Sequence, residues 1–148
     1  MGPIICRRLG IYDGRGFKEW LVTYKVLIVD DSKLARMSVV KALRALHPDW
    51  SKAEAGNADE ALQQIETDAP DFVLLDFNMP GKDGLAFAAD LRSKHAGISV
   101  AVISANRQAE VIQRAQAAGA AFLAKPLTEQ ALGEFLDNAV KNRKGARS

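Results

Sequence analysis

Three short runs of apolar residues restrict the fold of this chain more than any other feature. The runs occupy residues 25–30, 71–76 and 98–103, and their apolar positions follow one another without the polar alternation of a half-exposed strand. This pattern is typical of strands buried on both faces of a parallel sheet. Because parallel strands need long crossover connections, usually helices, it also predicts helices between the runs.

Helical periodicity appears in the segments that separate and follow these runs. It predicts helices over residues 33–46, 58–67, 84–94, 107–118 and 128–141. The expected core-facing side chains of the first helix are Leu34, Met37, Val40, Ala42, Leu43 and Leu46. Residues suited to begin or end four of these helices are Ser32, Asn57, Thr128 and Gly119.

Weaker strand patterns over residues 50–55 and 120–124 complete a series of five strand–helix units. Successive units of this kind predict an α/β fold, a doubly wound parallel sheet with helices on both faces. The length of 148 residues fits one such domain. In open α/β sheets, ligands bind beyond the carboxyl ends of the strands, so functional residues are expected where the strands end.

Acidic, hydroxyl and basic side chains stand at these strand ends. The first strand is followed by Asp30 and Asp31, and the third ends at Asp76. The fourth ends at Ser104 and the fifth at Lys125. Three carboxylates close together repel one another unless a cation lies among them, and hard oxygen ligands suit Mg²⁺. A metal-bound aspartate can attack a phosphoryl group, and Asp76, at the end of the most continuous buried strand, is the candidate phosphoacceptor.

Ordinary structural roles remain open for the same residues. Asp30, Asp31 and Ser104 could cap helices, and Lys125 could be a surface lysine. Elsewhere, His47 and His95 are expected to be solvated residues at helix ends. Trp50 is expected to pack at the start of the second strand.

Four segments match the motifs of one family in order and spacing. They are residues 26–31 (VLIVDD), 74–84 (LLDFNMPGKDG), 104–105 (SA) and 125–126 (KP). Each is weak alone, but together they are specific. Over about residues 25–141 the chain resembles a receiver (CheY-like) domain of two-component response regulators, of the stand-alone type. The resemblance implies a flavodoxin-like sheet with strand order 2-1-3-4-5.

The resemblance also implies a function and a metal site. A sensor histidine kinase or a histidine phosphotransfer protein would transfer a phosphoryl group to Asp76 in a Mg²⁺-dependent step. Asp31, Asp76 and the backbone carbonyl of Asn78 would bind Mg²⁺ directly, and Asp30 would hold it through water. The chain would then catalyse only its own phosphorylation and dephosphorylation, and would not be an enzyme toward other substrates. Asn78 and Asn106 could orient the water that removes the phosphoryl group, or could be ordinary turn residues.

A switch follows from the same resemblance. Ser104 and Lys125 would contact the phosphoryl oxygens, and the peptide bond before Pro126 would be cis. On phosphorylation, Ser104 would move inward and Phe122 would rotate into the space it leaves. Phe122 lacks the hydroxyl of the Tyr often found at this position, so it cannot form a hydrogen bond in the outward orientation. The partner-binding surface would comprise residues 107–118, 120–124 and 128–141.

The ends of the chain differ in charge from its body. Residues 141–148 carry four basic residues and no acidic residue, whereas residues 25–140 carry more acidic than basic residues. An acidic body argues against a nucleic-acid-binding core. Residues 142–148 are predicted to form a solvated, frayed basic tail. Residues 1–24 are predicted to be an N-terminal extension, to which the sequence assigns no role.

The remaining composition bears on location and output. The single cysteine, Cys6, excludes an internal disulfide, and no apolar run approaches the ~18 residues of a membrane span. These features predict a cytoplasmic protein. Too few residues follow residue 141 for an output domain, so the chain is expected to act on a separate downstream protein or to relay the phosphoryl group to a histidine.

Three other functions share part of this pattern. A hydrolase of the haloacid dehalogenase type would require a second aspartate where Asn78 stands. A flavin or nucleotide binder would require a glycine-rich loop after the first strand, but residues 30–33 read Asp-Asp-Ser-Lys. A receiver-like interaction module that acts without phosphorylation remains open.

Overall fold

The computed structural model describes residues 23–79 and 82–147. Its five main strands are β1 Lys25–Val29, β2 Ser51–Ala55, β3 Phe72–Asp76, β4 Ser99–Ser104 and β5 Ala121–Ala124. Its helices are α1 Lys33–Leu46, α2 Ala58–Thr67, α3 Gly84–Lys94, α4 Ala109–Ala117 and α5 Glu129–Arg147. The strands form one parallel sheet in the order β2-β1-β3-β4-β5, which confirms the predicted topology. Between β3 and α3, Asn78–Met79 pairs antiparallel with Lys82–Asp83.

The strand register brings the carboxyl ends of the strands to one level. Val29, the last residue of β1, lies opposite both Ala55 of β2 and Leu75 of β3. On the other side of β3, Asp76 lies opposite Ile103. Ser104 at the end of β4 lies opposite Ala124, the residue before Lys125. The residues that follow these strands therefore meet at one edge, beside the point where the chain order of the strands reverses.

Both faces of the sheet are buried, as the uninterrupted apolar runs predict. Helices α2, α3 and α4 cover one face, where the buried strand residues are Leu27, Val29, Ala55, Val73, Leu75, Val100 and Val102. Helices α1 and α5 cover the other face, where they are Val26, Ile28, Phe72, Leu74, Ala101, Ile103 and Leu123. Polar side chains at such positions would be buried without partners, which explains why the runs lack alternation.

Hydrogen bonds from backbone amides to the predicted capping side chains mark the start of three helices. Ser32 accepts one from Ala35 N at 3.2 Å, Asn57 from Glu60 N at 2.8 Å, and Thr128 from Ala131 N at 3.1 Å. Each satisfies an amide that has no partner within the first helical turn. Gly119 follows α4 with a φ of 81°, a conformation that favours glycine.

The prediction that Leu34 and Met37 face the core is wrong. Their exposures are 76% and 53%, whereas the buried residues of α1 are Val39 and Leu43. At 100° per residue, Leu34 and Met37 lie roughly 120–180° around the helix axis from those two positions. Sequence periodicity alone had grouped both sides of the helix into one stripe.

Two helices differ in length from their predictions. Helix α4 begins at Ala109 rather than residue 107, because the side chain of Asn106 accepts a hydrogen bond from Gln108 N at 3.0 Å and holds residues 106–108 in a turn. The backbone of α5 continues to Arg147, so the prediction that it ends near residue 141 is wrong. Residues 142–147 contain no proline and are mostly good helix formers.

His47 lies at the C-terminal end of α1, as predicted, but it is half-buried rather than solvated. Its ring stacks on the indole of Trp50 with a centroid distance of 3.8 Å and an interplanar angle of 6°. Burial lowers the pKa of His47, the Asp137 carboxylate opposes that effect and Lys52 adds to it. Trp50 is buried at the start of β2 against Tyr24 and Phe72, as predicted.

Candidate functional site

Three carboxylates meet at the carboxyl edge of the sheet. Asp30 directly follows β1 and Asp76 is the last residue of β3, and these strands are neighbours in the sheet. One carboxylate oxygen from each of Asp30, Asp31 and Asp76 lies within 4.8 Å of the other two. Asp30 and Asp76 are buried and Asp31 is exposed, so the cluster opens to solvent on one side. We refer to these three residues as the acidic cluster.

Hydrogen bonds hold Asp30 at three points. Its backbone amide donates to Ala55 O at 3.1 Å, and its Oδ1 accepts from Ser32 N at 2.9 Å. Its backbone carbonyl accepts from Arg36 Nη1. Burial raises the pKa of the Asp30 carboxyl, and the nearby Asp76 carboxylate adds to this, while the Ser32 amide and Lys125 oppose it. Ionised Asp30 is therefore held at an electrostatic cost that a cation would relieve.

Lys125 brings a positive charge to the cluster from the other end of the sheet edge. Its Nζ donates to Asp76 Oδ1 at 2.9 Å. Its backbone amide donates to Ser104 O at 2.9 Å, and its carbonyl accepts from Arg107 Nη2 at 3.3 Å. The peptide bond from Lys125 to Pro126 is cis, as the family resemblance implied.

Ser104 is buried at the end of β4. Its Oγ accepts a hydrogen bond from Asn106 N at 3.0 Å, within the loop before α4. Ser104 does not cap that helix, because α4 begins at Ala109 and Gln108 holds its N-cap position. A hydroxyl that accepts one hydrogen bond can still donate its proton, so this bond leaves Ser104 a donor for a phosphoryl oxygen. The Asn106 side chain is engaged by Gln108 N, and the Asn78 side chain is exposed two residues after Asp76.

Phe122 lies on β5, opposite Val102 of β4. It is half-buried and packs against the core beneath α2, α3 and α4. It also lines a cavity of about 880 Å³ between β5, α5 and the loop after α3. The aromatic ring of the predicted switch pair therefore lies at the boundary between the core and the surface that includes α5.

Two further residues, Gly84 and Arg36, shape the site. A Cβ atom at Gly84 would lie 2.9 Å from the backbone oxygens of both Asp76 and Phe77, so only glycine fits there without a shift. Arg36 reaches from α1 to the carbonyl of Asp30 and to Glu54 of β2. Gly84 lay within a matched motif, but no local pattern marks the contacts of Arg36.

The donor set fits a hard divalent cation. The acidic cluster offers carboxylate oxygens only, and its exposed side leaves room for water ligands, both of which Mg²⁺ prefers. The three carboxylates and the Lys125 ammonium would leave an excess of two negative charges. A divalent cation would balance that excess.

Comparison with known proteins identifies the class. The profile described as "Response regulator receiver domain" matches residues 26–137, so the chain belongs to that family. It is a CheY-like receiver of two-component signalling, and receiver domains bind Mg²⁺ through acidic residues and interact with histidine kinases or phosphotransfer proteins.

Two curated relatives differ in how much of them the chain covers. The chemotaxis protein CheY of Pseudomonas aeruginosa is 34% identical over 125 residues, which cover 82% of this chain and 99% of CheY. The transcriptional regulatory protein PdtaR of Mycobacterium tuberculosis is 35% identical over 120 residues, which cover 80% of this chain and 58% of PdtaR. The chain spans about half the length of several of the curated relatives that it matches.

Solved structures agree with the fold. Vibrio cholerae chemotaxis protein CheY4 superposes with a TM-score of 0.71 at 26% identity, over 80% of this chain and 99% of that one.

Among the described residues of this chain, no helix has the length and apolar character of a membrane span.

Proposed function

We propose that the protein is a phosphorylation-controlled switch in which Asp76 accepts a phosphoryl group from a histidine. One observation carries the proposal above all: Asp76 lies within the acidic cluster and also accepts a hydrogen bond from Lys125 Nζ. A nucleophilic carboxylate between a cation site and an ammonium group suits phosphoryl transfer, where positioning and charge neutralisation supply most of the catalysis.

In the proposed reaction, a carboxylate oxygen of Asp76 attacks the phosphorus of a phosphohistidine. The new O–P bond forms as the N–P bond breaks, and the electron pair of that bond returns to the imidazole. The Lys125 ammonium and the Ser104 hydroxyl donate hydrogen bonds to the phosphoryl oxygens. Bound Mg²⁺ would supply the charge neutralisation that the crowded oxygens need, held by Asp31, Asp76 and the Asn78 carbonyl, and by Asp30 through water.

The output would be a change in a protein-binding surface. Ser104 and Phe122 form the proposed switch pair, and phosphorylation adds a group of nearly two negative charges beside Ser104. Phe122 is half-buried and lines the cavity beside β5, so its ring is not enclosed by the core on all sides. The surface comprises α4, β5 and α5, and the change is a shift between two populated states.

A separate, unidentified protein would bind this surface in the cytoplasm and respond to its change. The match to nearly the whole length of CheY supports action as a stand-alone receiver. The phosphoryl donor would be a sensor histidine kinase or a histidine phosphotransfer protein.

Intact-mass analysis tests the proposal directly. The protein is incubated with Mg²⁺ and phosphoramidate, and one added phosphoryl group is expected. The adduct should be absent in Asp76→Asn and in wild type with excess EDTA. Asp59→Asn, which changes an exposed aspartate of α2, should retain it. If folded wild-type protein binds Mg²⁺ and forms no adduct, a receiver-like module that acts without phosphorylation is the better description.

A further inference from the structure

The side chain of Arg36 links three elements beneath the acidic cluster. Its Nε donates to Glu54 Oε1 of β2 at 2.9 Å, and its Nη1 donates to the backbone carbonyl of Asp30. The Arg36 side chain is only 16% exposed, whereas Glu54 is 43% exposed. A long side chain loses considerable rotamer entropy when it is held in this way, so the contacts must offset that cost.

The Glu54 anchor is itself held by α2. The backbone carbonyl of Glu54 accepts a hydrogen bond from Gln64 Nε2 at 2.7 Å. Two residues later, Gly56 N donates to Glu60 Oε1 at 2.7 Å. The Glu54 carboxylate accepts the hydrogen bond from Arg36 Nε. It therefore extends from the end of β2, which hydrogen bonds to α2 side chains also hold in place.

The carbonyl that Arg36 contacts belongs to the peptide unit between Asp30 and Asp31. The amide and the carboxylate of Asp30 are already engaged by Ala55 and Ser32. The Arg36 bond prevents rotation of the next peptide plane, and that plane determines where Asp31 leaves the backbone. The Asp31 side chain is exposed to solvent, so its position depends on the backbone from which it extends.

We propose that Arg36, anchored by Glu54, is a positioning residue that orients the Asp30–Asp31 peptide and thereby sets the Mg²⁺ affinity of the acidic cluster. This inference rests on the proposed function, because it requires the cluster to be the Mg²⁺ site. Arg36 contacts neither the metal nor the phosphoryl group in this arrangement, so it acts through the backbone of Asp30.

The charge of Arg36 predicts the opposite effect from its geometry. A guanidinium beside a cation site repels the cation, so its removal should tighten Mg²⁺ binding if charge were the main effect. If the hydrogen bonds of Arg36 position the ligands, its removal should weaken Mg²⁺ binding. The sign of the change in Kd therefore distinguishes the two effects.

Isothermal titration with Mg²⁺ alone tests the inference on the full chain. Arg36→Gln removes the charge and the hydrogen bonds to Glu54 and to the Asp30 carbonyl. Arg36→Lys keeps the charge, but a single ammonium cannot replace the two guanidinium donors in the same geometry. Both should raise the Mg²⁺ Kd on the order of tenfold. This is the lower end of the loss of metal affinity seen when a residue that hydrogen-bonds to a metal ligand is removed. Glu54→Gln keeps an oxygen acceptor for Arg36 Nε, so this variant should largely retain the wild-type Mg²⁺ affinity. Arg44→Gln, at an exposed position on the same helix, should match wild type.

A second measurement separates positioning from general destabilisation. At saturating Mg²⁺, the extent of phosphorylation by phosphoramidate should equal that of wild type, with only the Mg²⁺ concentration for half-maximal modification raised. If the Arg36 variants fail to fold, Glu54→Leu removes the anchor at a more exposed position and should raise the Kd in the same way. An unchanged or lower Kd in every folded variant would overturn the inference. Failure of wild type to bind Mg²⁺ would instead overturn the proposed function.

Discussion

Lys125 Nζ and Asp76 Oδ1 lie 2.9 Å apart, although 49 residues separate them in the chain. Asp76 is 6% exposed and Lys125 is 38% exposed, so the ammonium reaches the carboxylate from the solvent side. The pair exists because β3 and β5 end at the same level on either side of β4. It leaves Asp76 beside a partly exposed positive charge on a long side chain, which can also reach a phosphoryl group once one is attached.

Removal of that ammonium should slow phosphorylation. In Lys125→Met the stem is kept and the charge is lost, and the rate of modification by phosphoramidate should fall about 10²-fold, the scale of one lost donor to a transition state. Mg²⁺ affinity should be unchanged or higher, because a competing positive charge is gone. Lys41→Met, at an exposed site on α1, serves as the control. A rate equal to wild type would refute a role for Lys125 in the transfer.

Gly84→Ala should distort the loop that follows Asp76. The added Cβ would meet the backbone oxygens of Asp76 and Phe77 at 2.9 Å, and backbone atoms cannot move aside as a flexible side chain can. The free energy of unfolding should fall by about 1–3 kcal/mol, as for other overpacked sites. Urea denaturation measures it.

The matched control for that substitution is Gly97→Ala. No heavy atom lies within 4 Å of a Cβ at Gly97, so the change should be neutral or slightly stabilising. Equal effects at the two glycines would contradict the steric argument.

Stability of the metal-free protein should depend on the ionisation of Asp30. Burial raises its pKa above the ordinary value of 3.8, so its ionised form is less favourable in the folded than in the unfolded chain. The free energy of unfolding should therefore fall as pH rises from about 3.8 through the raised pKa, and the loss is complete above it. Asp30→Asn should be more stable than wild type at neutral pH in EDTA, and this advantage should vanish in acid.

Added Mg²⁺ should reverse that order. Wild type gains stability by binding the cation, and Asp30→Asn, which lacks one carboxylate of the acidic cluster, should gain less. Urea denaturation at several pH values, with EDTA and with Mg²⁺, measures both effects. A variant less stable than wild type in EDTA at neutral pH would show that Asp30 is not held at a cost.

His47 should make the protein sensitive to acid. Its folded pKa lies below the ordinary 6.5, so the unfolded chain binds a proton more readily. The free energy of unfolding should decline as pH falls from 6.5 through the lowered pKa. Above pH 6.5 the ring is neutral in both states, so His47 causes no loss of stability there. His47→Phe, which keeps a ring to stack on Trp50, should flatten this dependence.

Two further variants test the cause of that sensitivity. The Asp137 carboxylate favours the protonated ring, so Asp137→Asn should lower the His47 pKa further, and NMR titration of the imidazole would detect it. His95→Gln should leave the acid sensitivity in place. If it flattens the curve as His47→Phe does, the dependence does not come from His47.

Much of the fold could be read from local patterns. The runs at 71–76 and 98–103 lack alternation because both faces of β3 and β4 are buried, and that condition is visible in the residue types. The bounds of α1, α2 and α3 agree with the predictions. The side chains of Ser32, Asn57 and Asp83 cap their first turns, and a cap acts through residues close by in the chain. The residues that should meet at the sheet edge followed from parallel topology alone.

The errors arose where packing around an element decides the outcome, or where the sequence carries no clear stop signal. Leu34 and Met37 have the right spacing for a core stripe, but α1 faces the sheet and α5 through Val39 and Leu43. His47 has no local signal for burial, and its stack on Trp50 depends on the turn after α1. Helix α5 continues beyond residue 141 because nothing in its sequence ends it there.

The element order, the strand–helix periodicity and the residue types at the strand ends can all be read from the sequence, because burial on both faces and helix capping act through neighbours along the chain. The contact of Lys125 with Asp76, the link that Arg36 makes from the Asp30 carbonyl to Glu54, and the need for glycine at position 84 depend on the three-dimensional arrangement. Those contacts join residues from different elements, and strand register and helix rotation set their distances. Neither quantity is encoded in any single stretch of residues.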